Sequence, residues 1–184
     1  VKAVQSADLF TFTLPSQPPA GKIEYYVQIS DGINTMELFK DSPVILRFKD
    51  SVPAGVLIPH ILFMFLAMLF ANYSGIIAFT KSVKIRKYVW LTFIFLVLGG
   101  LVFGPVVQKF AFGQYWTGWP LGGDLTDNKT LSLVIFWVAA LLLTRKKPRK
   151  YLVIIAAILT LIVYSIPHST LGSEYNYSKN ELNK

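Results

Sequence analysis

Charge is missing from long stretches of this chain, and that constrains its fold more than any motif does. No Asp, Glu, Lys or Arg occurs from Ser51 to Thr80, from Tyr88 to Gln108, from Thr130 to Thr144, or from Tyr151 to Ser173. A helix needs ~20 mainly apolar residues to cross a hydrocarbon core of ~30 Å. The first, second and fourth runs meet that length. The third has 15 residues and reaches ~22 Å at ~1.5 Å per residue. It spans if Asn128 and Lys129 extend the helix and the Lys129 ammonium snorkels to the interface. The expected fold is therefore a mainly α membrane protein, a four-helix transmembrane bundle with spans near 54–80, 88–112, 128–144 and 151–167. Composition agrees: 53% of residues are hydrophobic and only 15% charged, against about 25% charged in a soluble domain.

The basic residues give the orientation. Lys81, Lys84, Arg86 and Lys87 follow the first run; Arg145, Lys146, Lys147, Arg149 and Lys150 follow the third. These nine are half of the 18 basic residues, and neither loop contains an acid. The positive-inside rule places both loops in the cytoplasm. The N-terminal segment 1–50, the 109–129 loop and the polar tail 174–184 then face outward, and the expected location is a bacterial inner membrane. The net charge of +8 would suggest nucleic acid on a soluble protein. Here the two cytoplasmic loops account for it. The remaining nine basic residues face ten acids, which leaves no excess for a nucleic acid. The expected partners are the lipid bilayer and other membrane or envelope subunits.

Residues 1–50 alternate with the period of two that marks strands. Phe10, Phe12 and Leu14 alternate with Thr11 and Thr13. Ile23, Tyr25, Val27 and Ile29 alternate with Glu24, Tyr26, Gln28 and Ser30, and Val44, Leu46 and Phe48 form a third set. Pro15, Pro18-Pro19-Ala20-Gly21 and Asp31-Gly32 supply the turns. The stretch from Leu14 through Pro18-Pro19-Ala20-Gly21 to Tyr25-Tyr26-Val27 resembles the later strands of an immunoglobulin-like or fibronectin type III-like sandwich. Such a sandwich has seven or more strands in ~100 residues, whereas about four are legible here. The resemblance thus implies that a partner or an upstream segment supplies the others. The first residue is Val1 rather than Met, and a processed product or fragment is expected.

Within the spans, Ala67, Ala71 and Gly75 on the first and Gly100 and Gly104 on the second suit close packing of the two helices. Asn72 and Ser74 are expected to hydrogen-bond to a neighbouring helix or to backbone. Pro105 is expected to kink the second span.

Candidate chemistry gathers at the outer level. The two histidines, His60 and His168, fall at matching depth at the outer ends of the first and fourth spans. Asp124 and Asp127 lie on the same side, just before the third span. Histidine with carboxylate suits a borderline metal such as zinc. His60, Met64 and Met68 repeat at every fourth residue and share a helix face. Imidazole with thioether suits copper or a haem iron, and His60 with His168 could hold a haem b. Structural alternatives exist for each group. Asp127 or Asn128 could cap the third helix, Tyr115, Trp116 and Trp119 could form an aromatic belt, and methionine fills apolar space. Lys109 is expected to pair with Asp124 or Asp127 rather than relay protons. With no cysteine, disulfides, thiolate metal sites and covalent haem attachment are excluded. No Walker A, GxGxxG, GxSxG or HExxH pattern occurs, and the chain is not read as an enzyme. Two functions remain: a membrane subunit or accessory protein of an envelope complex, or an outer-face haem or metal protein using His60 and His168.

Overall fold

The computed structural model describes residues 3–6, 9–80, 85–144, 149–167, 175–176, 178 and 181–182. The chain is mainly helical, with a small N-terminal β segment. Helix α1 runs Ala54–Ala78, α2 Ile85–Phe112, α3 Leu125–Leu143 and α4 Lys150–Ser165. The first three are long and apolar enough to cross a membrane, and α4 is a shorter apolar helix.

Two helix boundaries differ from the charge-run reading. The third helix starts earlier because Asp124 is its N-cap: Oδ1 accepts from Thr126 N at 2.8 Å and Asp127 N at 3.3 Å. Asp127 and Asn128 therefore lie inside the first turn and do not cap it. The fourth helix stops at Ser165, since Ile166 is extended and Pro167 cannot continue a helix. The shortest of the four helices is thus the fourth, not the third.

The helices form a ring in which α1 packs on α2 and α4, and α3 packs on α2 and α4. Small residues set the closest approaches. A Cβ at Gly75 would sit 2.8 Å from Ala157 Cβ on α4. Phe70 stacks on Phe95 with centroids 5.5 Å apart, and Tyr73 meets Tyr88 edge-on at 4.6 Å, joining α1 to α2. Trp137 is fully buried between α3 and α4, its Nε1 donating to Thr160 Oγ1 at 3.0 Å. Ser74 departs from expectation: its buried Oγ has no hydrogen-bond partner. What its small side chain provides there is room for packing. The outward faces of the helices carry exposed apolar side chains such as Ile58, Phe65, Leu69, Ile76, Ile135 and Ile158, as lipid-facing helices require.

Pro105 does not break α2. Residues Val97–Phe103 widen into a π-helical segment, and Gly104 N donates to Gly99 O. Proline lacks a donor and crowds the carbonyl four residues back, and a wider turn absorbs both problems. The widening also rotates the glycines. Gly99, rather than the Gly100/Gly104 pair, faces the α1 backbone: its Cβ would fall 3.0 Å from Met64 N, while one at Gly100 would fall 2.6 Å from Thr130 Cγ2 on α3.

The β segment comprises β1 (Val4–Ser6), β2 (Leu9–Thr11), β3 (Lys22–Tyr25), β4 (Val27–Ser30), β5 (Thr35–Leu38) and β6 (Val44–Arg47). These pair antiparallel as β1–β2, β3–β6 and β4–β5. The register runs Tyr25↔Val44 and then Val27↔Leu38, so β3–β4 and β5–β6 form one long hairpin bulged at residues 39–43. At the tail, β7 (Tyr175–Asn176) pairs with β8 (Glu181–Leu182). Tyr175 N donates to Ala20 O at 3.1 Å, which puts the tail beside the β segment. At the far end of the bundle Lys150 Nζ donates to Thr80 O. The β segment and Tyr175 therefore share one end of the bundle, and the end of α1 and the start of α4 share the other.

Candidate functional site

At the β-segment end, a cavity of about 120 Å³ opens among α1, α2, α3 and β6. His60 and Met64 reach it from α1, Gly100, Gly104 and Gln108 from α2, and Thr126, Asp127 and Thr130 from α3. Asp124 and Arg47 complete the polar wall, with Val107, Ala111 and Phe112 as apolar lining.

The π segment orients His60. Its Nδ1 lies 2.9 Å from Gly99 O, and a carbonyl only accepts, so Nδ1 carries the proton. In the neutral ring Nε2 then keeps its lone pair. Gly104 borders the ring, and a Cβ there would lie in ordinary contact, 3.8 Å from His60 Cε1. Met64 is held at its backbone, where Tyr164 Oη donates to Met64 O at 2.9 Å and lies 3.9 Å from Met64 Sδ.

The carboxylates have structural work. Asp127 Oδ2 accepts from Thr117 N at 2.7 Å, Gly118 N at 3.0 Å, Gln108 Nε2 at 3.2 Å and Thr117 Oγ1 at 3.3 Å. Asn128 Oδ1 accepts from Trp119 N at 2.6 Å. The first turn of α3 thus holds the aromatic loop in place, and Trp116 Nε1 closes it onto Trp119 O at 3.1 Å. Asp124 Oδ1 is engaged in capping. Among the described residues, no three His, Asp or Glu side chains form a group that could hold a metal.

Of the six residues singled out as ligands, His60, Met64, Asp124 and Asp127 line this one cavity, and His168 lies outside the described residues. Met68, one turn deeper on α1, is not in the lining. A volume of about 120 Å³ admits an ion or several waters and is below the ~300–1,000 Å³ of pockets that enclose larger ligands.

Of the two lysines at this end, Lys109 departs from expectation. Lys109 pairs with neither aspartate; it is exposed, its Nζ donates to Gly113 O at 2.7 Å and lies 5.5 Å from the Tyr115 ring centroid. The helix ends at Gly113, so the ammonium meets its final carbonyls. Lys129 runs along the protein interior to the end of α4. It is 8% exposed, and its Nζ donates to Ile166 O at 2.8 Å, at the end of α4. A cation there offsets the negative end of the helix dipole.

Arg47 and Gln108 are functional neighbours that sequence reading missed. Arg47 sits in an ordinary alternating strand, and only the fold brings it over the Phe112 ring, 4.5 Å from Cζ to centroid. Gln108 is an amide at the edge of an uncharged run, and no local pattern links it to Asp127, 19 residues on.

Comparison with protein-family models, with characterised proteins and with solved structures finds no match.

Proposed function

We propose that this protein is a non-catalytic integral membrane subunit or accessory component of a cell-envelope complex, with four spans and an outward β segment that docks a partner. The observation that carries this reading is the β segment's unfinished surface. Among the described residues its strands pair two by two, and Ile29, Ile33, Met36 and Ile45 are exposed, Ile33 at 93%. Open strand edges with apolar side chains are surfaces that proteins usually cover. The resemblance to later strands of an immunoglobulin-like sandwich gives the form of the cover: strands from another envelope subunit. Topology follows from the basic connections at the opposite end, which face the cytoplasm, and the apolar α4 crosses with the other three helices. Both termini are then outside, in a bacterial inner membrane.

The absence of native cysteine makes the test clean. A Ser42→Cys variant should react with a membrane-impermeant maleimide in intact spheroplasts, and a Ser82→Cys variant only after permeabilisation. A photo-crosslinking residue at position 33 should capture another envelope protein in cells. The opposite labelling pattern overturns the topology; crosslinks to lipid or to copies of this chain alone overturn the docking role.

A further inference from the structure

We infer that the outer-end cavity is a soft-cation site that binds Cu(I) through His60 Nε2 and Met64 Sδ. This goes beyond the envelope-subunit reading and does not depend on it.

Three observations converge. First, His60 and Met64 are one helical turn apart on α1 and line the same cavity. Second, the imidazole is oriented as a ligand requires. Metal-binding histidines donate their other N–H to a carbonyl or carboxylate, and His60 Nδ1 has Gly99 O for this purpose, at 2.9 Å. The lone pair is thereby assigned to Nε2. Third, Gly99 keeps space at this spot, since a side chain there would press on Met64 Sδ at 2.9 Å.

The donor set selects the ion. Asp127 Oδ2 already accepts four hydrogen bonds, and Asp124 Oδ1 caps α3. A hard or borderline ion thus lacks the three His, Asp or Glu donors it would use. A nitrogen and a thioether sulfur are enough for Cu(I), which favours soft ligands and low coordination numbers. The aspartates act by holding the walls.

The test uses the full chain in detergent, titrated with Cu(I) against the chromophoric chelator bicinchoninate, and with Ag(I) as a surrogate that undergoes no redox change. One Cu(I) per chain is expected, with X-ray absorption showing both a sulfur and an imidazole neighbour. Met64→Leu keeps the volume and removes the sulfur, and it should weaken Cu(I) and Ag(I) at least tenfold while the metal-free melting temperature changes little. His60→Ala should do the same. If His60→Ala fails to fold for want of its bond to Gly99, Met64→Leu decides alone. No binding in competition with the chelator, or binding that Met64→Leu leaves unchanged, overturns the proposal.

Discussion

Asp127 shows how a single residue can look like a ligand and serve as a rivet. Its Oδ2 gathers two backbone N–H groups, an amide and a hydroxyl, so removing it strands buried donors. Asp127→Ala should destabilise the protein by ~3 kcal/mol, the scale of losing a buried, hydrogen-bonded charge. Asp124→Ala should cost ~1 kcal/mol, the value of an N-cap. Thermal unfolding in detergent would rank the two, and a reversed order would mean the loop is held otherwise. Asp31 belongs to another class. Its exposed carboxylate accepts from Asn34 N at 2.6 Å and Ile33 N at 2.9 Å, which holds its pKa below the ordinary carboxylate value. A depressed folded-state pKa means that the turn's contribution is present above the unfolded value and is lost as pH falls through the lower, folded one. Backbone amide shifts of Ile33 and Asn34 should therefore be flat at neutral pH and move only in the acid range. At this scale the sequence was half legible. Histidine, methionine and aspartate are chemically conspicuous, and four conspicuous residues do share a cavity. Their division of labour was not legible, because it depends on which backbone amides the loop turns toward Asp127.

At the scale of elements, the absence of charge located the helices and local chemistry set their ends. The shift of α3 to Leu125 depended on choosing among Asp124, Asp127 and Asn128 as the cap, three residues of similar propensity. The π segment was not legible, since proline predicts a disturbance but not whether the helix will bend or widen. Strand β5, Thr-Met-Glu-Leu, was overlooked although Met36 and Leu38 alternate with Thr35 and Glu37 as strand residues do. Packing across elements gives a sharp test at Gly100. A Cβ there would lie 2.6 Å from Thr130 Cγ2, whereas the Thr130 hydroxyl is turned to Thr126 O at 2.9 Å. Gly100→Ala should destabilise by ~1–3 kcal/mol, as overpacking does. Thr130→Ser deletes the offending methyl and keeps the hydroxyl, so the double variant should recover most of the loss. Additive losses in the double variant would show that α2 and α3 do not meet there as described.

At the scale of the whole molecule, helix length explains where the β segment sits. At ~1.5 Å per residue, α1 and α2 are ~37 and ~42 Å long, while α3 and α4 are ~28 and ~24 Å. The second helix thus exceeds a ~30 Å core by about two turns, and its C-terminal end is the post on which the strands are mounted. Asp50 N donates to Ala111 O at 3.1 Å, and the Arg47 guanidinium lies over the Phe112 ring. Both contacts fall in the last two residues of the helix. The same geometry makes Arg47 a wall of the cavity, so docking the β segment and completing the site are one event. Phe112→Ala should therefore leave the apolar helix bundle intact while loosening the strands. The cation–π contact contributes ~0.5–2 kcal/mol, which corresponds to a few-fold to about thirtyfold rise in the undocked population. Limited proteolysis should cut the first 50 residues faster by that factor, at unchanged melting of the bundle. Hydrogen exchange at the amide of Asp50 should accelerate in step, because its acceptor is on the same post. If proteolysis and exchange stay at the wild-type rate, the β segment is held by something other than the end of α2, and Arg47 reaches the cavity without it.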